Sequence, residues 1–135
     1  MKRILLSAMI LVAFGCTVPA ERVPLQLLPE NGQVLPYADL LRRVRAQANA
    51  ANDAYYLDNW GDVEDMAKGI KQTAGFMSKA MEVPAKNREL LAEVTGDLAK
   101  SADKLKVAAA AKNEKDAGAA LQQITVAVRR LRLTD

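Results

Sequence analysis

The chain has 135 residues, of which 50% are hydrophobic, with 19 Lys and Arg against 16 Asp and Glu, one cysteine and no histidine. These counts exclude a disulfide within the chain and remove the usual general base, the commonest transition-metal ligand and the ordinary axial ligand of haem. The formal charge of +3 falls to +1, 17 basic against 16 acidic, once Lys2 and Arg3 are set aside, so the balance gives no sign of a nucleic-acid partner.

Met1-Lys2-Arg3 opens onto the apolar run Ile4 to Phe14, which stops at Gly15-Cys16. A charged start, a short apolar stretch and a small residue ahead of the cut are the anatomy of a removable signal peptide, and the run is too short to cross a bilayer. The segment Ala13-Phe14-Gly15-Cys16 resembles the bacterial lipobox, whose cysteine takes a diacylglycerol through its sulfur and becomes the mature N-terminus. The resemblance implies a signal peptide over residues 1–15 and an acylated Cys16 that anchors the protein to a membrane. An alternative cut after Val18-Pro19-Ala20 would release a soluble periplasmic or secreted protein without the cysteine.

Residues 16–35 read as the lipidated N-terminus and a tether. Pro19, Pro24 and Pro29 keep such a segment extended at up to ~3.1 Å per residue. Val23, Leu25, Leu27, Leu28, Val34 and Leu35 are too apolar for a purely solvated linker, so some of them are expected to dock on the domain that follows.

From 36 to 135 the spacing predicts helix after helix. Pro36 can open the first, where Tyr37, Leu40, Leu41, Val44, Ala48, Ala51 and Tyr55 recur at steps of three and four. Asp58 or Asn59 can cap the second, with Asp62 and Glu64 in its first turn. Its stripe runs Trp60, Val63, Ala67, Ile70, Ala74, Met77 and Met81 in a/d spacing. Pro84 starts a third helix, with Leu91, Val94, Leu98, Ala102 and Leu105 inward. A polar connection from Lys112 to Asp116 then precedes a fourth helix presenting Ala117, Leu121, Ile124, Val128 and Leu131. Four amphipathic helices with short connections imply an all-α, antiparallel up-down four-helix bundle. Interior glycines such as Gly69 and Gly75 cost up to ~1 kcal/mol each relative to alanine, so local helix stability is modest.

The run Asn52-Asp53-Ala54, then Asn59-Trp60-Gly61-Asp62-Val63, Gln72-Thr73-Ala74, the break at Pro84, Leu98-Ala99-Lys100 and Asp116-Ala117 resembles the exported bundles related to cytochrome c′. In that family the last helix carries CxxCH, whose cysteines bond haem and whose histidine ligates iron. The corresponding stretch here, Thr125-Val126-Ala127-Val128-Arg129, has neither thiol nor histidine. The resemblance therefore implies the fold and the exported setting of a haemless relative.

Several residues carry sharper readings. Met77 and Met81, one turn apart on a helix, would suit a soft Cu(I) ion, although both fall where core residues belong and Met66 lies off the stripe. Tyr55, Tyr56 and Trp60 gather at the junction of the first two helices. Tyr55 and Trp60 fit the stripes, which leaves Tyr56 as the exposed contact. Candidate contacts for a partner are Tyr56, Trp60 and Arg43. The basic groups Arg42, Arg43, Arg45, Arg129, Arg130 and Arg132 either form a solvated helix face or meet anionic headgroups beneath a tethered domain. Ser78 and Ser101 lack a base, a di-iron site lacks histidine, and Asp62, Glu64 and Asp65 are accounted for by a first helical turn.

The sequence thus points to a non-catalytic, lipid-anchored interaction module or spacer of the bacterial envelope, with no cofactor and with an envelope protein as candidate partner. Two alternatives stand beside it: a cytochrome c′-like carrier holding haem or another cofactor non-covalently, and Met-based Cu(I) binding. Mass spectrometry of the mature N-terminus is expected to find Cys16 carrying acyl mass; an unacylated chain beginning at Glu21 would end the lipoprotein reading.

Overall fold

The computed structural model describes residues 27–30 and 32–132. The signal peptide, Cys16 and the tether as far as Gln26 lie outside these residues. Those described are all-helical, with no strand among them: α1 (Tyr37–Tyr56), α2 (Trp60–Met77), the single turn α3 (Ala85–Arg88), α4 (Leu91–Ala110) and α5 (Glu114–Arg130).

The helix starts follow from local chemistry. Pro36 stands at the N-cap of α1, and the Tyr37 amide, left without an intrahelical acceptor, donates to the Met81 carbonyl at 2.9 Å. Asn59 caps α2: its side-chain oxygen accepts from the Asp62 amide at 3.3 Å, while its Nδ2 donates to the Asp62 carboxylate at 2.7 Å. Asn113 and Asp116 repeat the device at α5, with distances of 3.1 and 2.8 Å. The helix therefore begins at Glu114, inside the stretch expected to be a connection.

Two expected boundaries are corrected. Helix α2 stops at Met77, because the Met81 backbone is engaged elsewhere: its N–H donates to the Leu35 carbonyl and its own carbonyl accepts from Tyr37. Met81 is consequently 49% exposed and belongs to neither helix nor core. The helix expected from Pro84 is broken at Glu89-Leu90 into the turn α3 and the long α4.

The predicted stripes otherwise form one core. Leu40, Val44, Val63, Ile70, Leu98 and Ile124 are fully buried, with Tyr55 and Trp60 packed against them at its margin. α1 packs on α2, α2 on α4 and α4 on α5, whereas α1 meets α5 more sparsely. That last seam is held by tyrosine hydroxyls. Tyr37 Oη donates to the Leu131 carbonyl at 2.6 Å and accepts from Asn87 Nδ2 at 3.0 Å, and at the other end Tyr55 Oη donates to the Glu114 carbonyl at 3.1 Å.

The two helical hairpins are built alike. α4 begins 54 positions after α1, 91 against 37, and α5 begins 54 after α2, 114 against 60. The same step carries the cap Asn59 with Asp62 onto Asn113 with Asp116, and the left-handed turn residue Asp58 onto Lys112. In each turn the asparagine amide reaches back five residues, to Ala54 or to Ala108, at 2.9 Å, closing a Schellman-type end. Buried Val44, Ala48, Ile70 and Met77 likewise map onto buried Leu98, Ala102, Ile124 and Leu131.

Part of the expected tether is docked. The Leu28 amide donates to Gln72 Oε1 at 2.8 Å and the Leu28 carbonyl accepts from Gln72 Nε2 at 2.7 Å, so a side-chain amide on α2 pairs with the extended chain as a strand would. Leu28 and Leu35 pack against the core, while Leu27 and Val34 stay exposed.

Truncating Ile124 to alanine is expected to cost ~2–5 kcal/mol in chemical denaturation, the range for a buried aliphatic side chain. Burial raises the pKa of Tyr37 above the ordinary 10.0, against weaker lowering by the Asn87 hydrogen bond and the Arg45 charge. A raised value favours the protonated phenol in the fold, so its stabilisation is complete below the unfolded pKa and is lost as pH climbs through the folded one. Tyr37→Phe should cost about 1–3 kcal/mol near neutrality by stranding Asn87 and the Leu131 carbonyl. It should also flatten the alkaline loss of stability, as read by urea unfolding on either side of about pH 10.

Candidate interaction site

Where α1 ends and α2 begins, three aromatic rings meet. Tyr55 lies edge to face with Tyr56, centroids 5.5 Å apart at 69°, and with Trp60, 5.9 Å apart at 87°. Tyr55 is fixed from below, since its hydroxyl bonds Glu114 and sits against Gly118, where an added Cβ would come within 3.3 Å of that oxygen. Tyr56, turned about 100° further round the helix, faces outward and is 80% exposed, with Leu57 beside it at 65%. An aromatic and an aliphatic side chain thus stand in solvent beside half-buried rings, an apolar edge with a polar tip of the kind that suits a contact.

The three expected contacts do not converge. Tyr56 and Trp60 share this end, with Trp60 half-buried as a support. Arg43 lies 13 residues back along α1, about 20 Å away, and is itself half-buried rather than on the solvated face. Of the other arginines, Arg42 pairs with Asp39, Arg130 with Glu93 at 2.9 Å and Asp97 at 3.9 Å, and Arg88 Nε donates to the Val83 carbonyl. Arg129 and Arg132 are exposed and Arg45 is half-buried, as Arg43 is; none of Arg45, Arg129 and Arg132 has an ion-pair partner among the described residues.

Other singled-out residues find structural places. Met77 is fully buried and Met81 lies beyond the end of α2, so the helical turn that would set both sulfurs on one face does not form. Among the described residues no three acidic, cysteine or histidine side chains gather closely enough to hold a metal ion, and no helix is long and apolar enough to cross a membrane. Ser78 donates to the Gly75 carbonyl, and Ser101 to Gln123 within the α4–α5 seam. Asp62 bonds the capping Asn59 through both its amide and its carboxylate, while Glu64 and Asp65 both pair with Lys68. In the stretch from Thr125 to Arg129, Thr125 donates to the Leu121 carbonyl, Ala127 and Val128 are buried, and Arg129 is exposed.

Sequence reasoning missed the outer groove between α4 and α5. Two adjoining hollows of about 440 and 560 Å³ meet at Lys104 and Gln123. Val126 and Val107 lie in them 52% and 70% exposed, off both predicted stripes.

No protein-family model, curated protein or solved structure matches this chain.

Tyr56→Ala is expected to leave thermal stability within about 0.5 kcal/mol of wild type, as for a surface position. Trp60→Ala and Tyr55→Ala should each cost about 1–3 kcal/mol, because they remove the support beneath it. Differential scanning calorimetry of the three variants checks the division between support and contact.

Proposed function

We propose that the chain is an exported, lipid-anchored protein of the bacterial envelope, a haemless relative of the cytochrome c′-like bundles. Its four long helices form an antiparallel up-down bundle that serves as an interaction module or spacer and catalyses no reaction. The observation that carries this reading is the exposed Tyr56–Leu57 edge beside the half-buried rings of Tyr55 and Trp60. The docked segment from Leu28 to Leu35 supports it. Its bonds to Gln72 and Met81 support a tether that leaves the domain near Leu28, and the eleven steps from Cys16 to Leu27 then span up to about 34 Å, enough to lift the bundle clear of a lipid surface.

A photo-crosslinking amino acid at position 56, in cells that carry the anchored protein, should capture an envelope partner that the same amino acid at Lys86 does not. Tyr56→Ala should abolish co-purification of that partner while the melting temperature stays near wild type. Capture of the same products from both positions would remove the aromatic end as an interaction edge.

A further inference from the structure

We propose that Arg45, Arg129 and Arg132, along the seam between α1 and α5, form a docking surface for anionic lipid headgroups, so that the domain rests on the membrane by its arginine edge. The lipid-anchored reading is needed only to bring a membrane within reach.

The 54-residue repeat makes the cluster conspicuous. The α2–α4 seam and the α5–α1 seam are counterparts under that step, and they are built differently. Across the first, Lys71 Nζ meets the Asp103 carboxylate at 2.8 Å. One turn nearer the Met77 end of α2 come Gly75 and Ala99, followed by Ser78, all small. Position for position, the second seam carries Arg129 for Gly75, Arg45 for Ala99 and Arg132 for Ser78. The bonds from Tyr37 to Leu131 and from Tyr55 to Glu114 set α1 against α5 in a register that keeps Arg45 and Arg129 within two turns of one another. The Arg45 charge is also felt by the Tyr37 phenol, which is itself bonded to the end of α5.

Among the described residues no carboxylate pairs with any of the three, and Asp135, three positions past Arg132, lies outside those residues. One helical turn away along α1, Arg45 meets Leu41, Arg42, Ala48 and Asn49, and along α5 Arg129 meets Thr125, Val126 and Arg132, so neither helix supplies an acid. Every other arginine among the described residues lies toward this same end of the molecule, in the first half of α1, in α3 or at the end of α5. The guanidinium is planar and always charged, with a fork of donors that fits phosphate oxygens. The segment that precedes α1 is held toward the same end, because Gln72, which bonds Leu28, is five residues or about 8 Å from the end of α2 that lies there.

Each basic residue at an anionic surface contributes about fivefold in partitioning, on the order of a hundredfold for three. The test uses the full chain with Cys16→Ser, which carries no acyl group, sedimented with vesicles of phosphatidylcholine alone or mixed with phosphatidylglycerol. Binding should rise on the anionic vesicles and weaken with added salt. Arg45→Glu/Arg129→Glu/Arg132→Glu should lose about a hundredfold, while the triple lysine variant keeps most of the binding and confirms that charge is read. Reversing Lys68, Lys106 and Lys112, all outside the seam, should change little. Circular dichroism shows that each variant compared is folded, and a glutamate triple that unfolds is replaced by the glutamine triple, for which loss of anionic binding is again required. Equal binding of wild type and the triple variant, or an equal loss on reversing the three lysines, overturns the proposal. The acyl mass on Cys16 is measured separately, so the anchor and the surface can fail independently.

Discussion

The fold closes where its first helix meets its last, and that closure rests on two phenol groups. Tyr37 and Tyr55 stand 18 residues apart on α1, about 27 Å, and the carbonyls they reach, Leu131 and Glu114, stand 17 apart on α5, about 26 Å. Both bonds form together only if the two helices run in opposite directions with matched lengths, so the pair fixes register as well as proximity. Tyr37 does more, because Asn87 donates to it and also to the Arg132 carbonyl at 3.1 Å, drawing the short helix α3 and the end of α5 into one buried polar knot. Removing the phenol would leave donors and acceptors without partners in a place that water does not reach.

With that closure in place the molecule is polarised along its axis. One end carries rings and aliphatic surface over acidic caps, the other carries the arginines and the docked segment around Leu28. The interior between them is apolar apart from a few polar groups, most of them hydrogen-bonded, with Gln47 Nε2 left without a partner. Thr73 donates to Gln47 Oε1 at 2.9 Å across the α1–α2 seam, a bond that distinguishes one register of the hairpin from its neighbours. If the proposed anchor holds one end down, a body with two chemically different ends presents the other outward, without any moving part.

Most of the helical reading was legible in the sequence because it depends on spacing alone: apolar side chains three and four apart turn to one side whatever their neighbours do. Leu98, Ile124 and Val128 needed nothing else. Met81 was misread because its spacing continues the α2 stripe, whereas its backbone is claimed by Leu35 and Tyr37, more than forty residues earlier in the chain. Gln47 and Asn87 stayed hidden for the converse reason, since a polar residue reads as surface until the partner that satisfies it is known. At the candidate site, the exposure of Tyr56 could be seen from its phase on α1. The half-burial of Arg43 and the isolation of Arg45, Arg129 and Arg132 could not, because they depend on which helices become neighbours. The repeat is not legible in the sequence either: between the two hairpins only Ala38, Ala48, Ala54, Asn59, Asp62 and Ile70 recur as the same residue, and the kinship lies in burial and capping.

A lone hairpin of this kind would leave its apolar stripe facing water, and two separate hairpins would cover each other only at a concentration set by their affinity. The connection from Ser78 to Leu90 removes that dependence. By holding the second hairpin beside the first, it replaces a dissociable pair with a single chain whose effective local concentration does not fall on dilution. It also frees the two seams from having to be identical, as they must be in a symmetric pair. One could then carry small residues at its margin where its counterpart carries arginine, and an asymmetric surface became available to a molecule whose architecture is otherwise the same motif used twice.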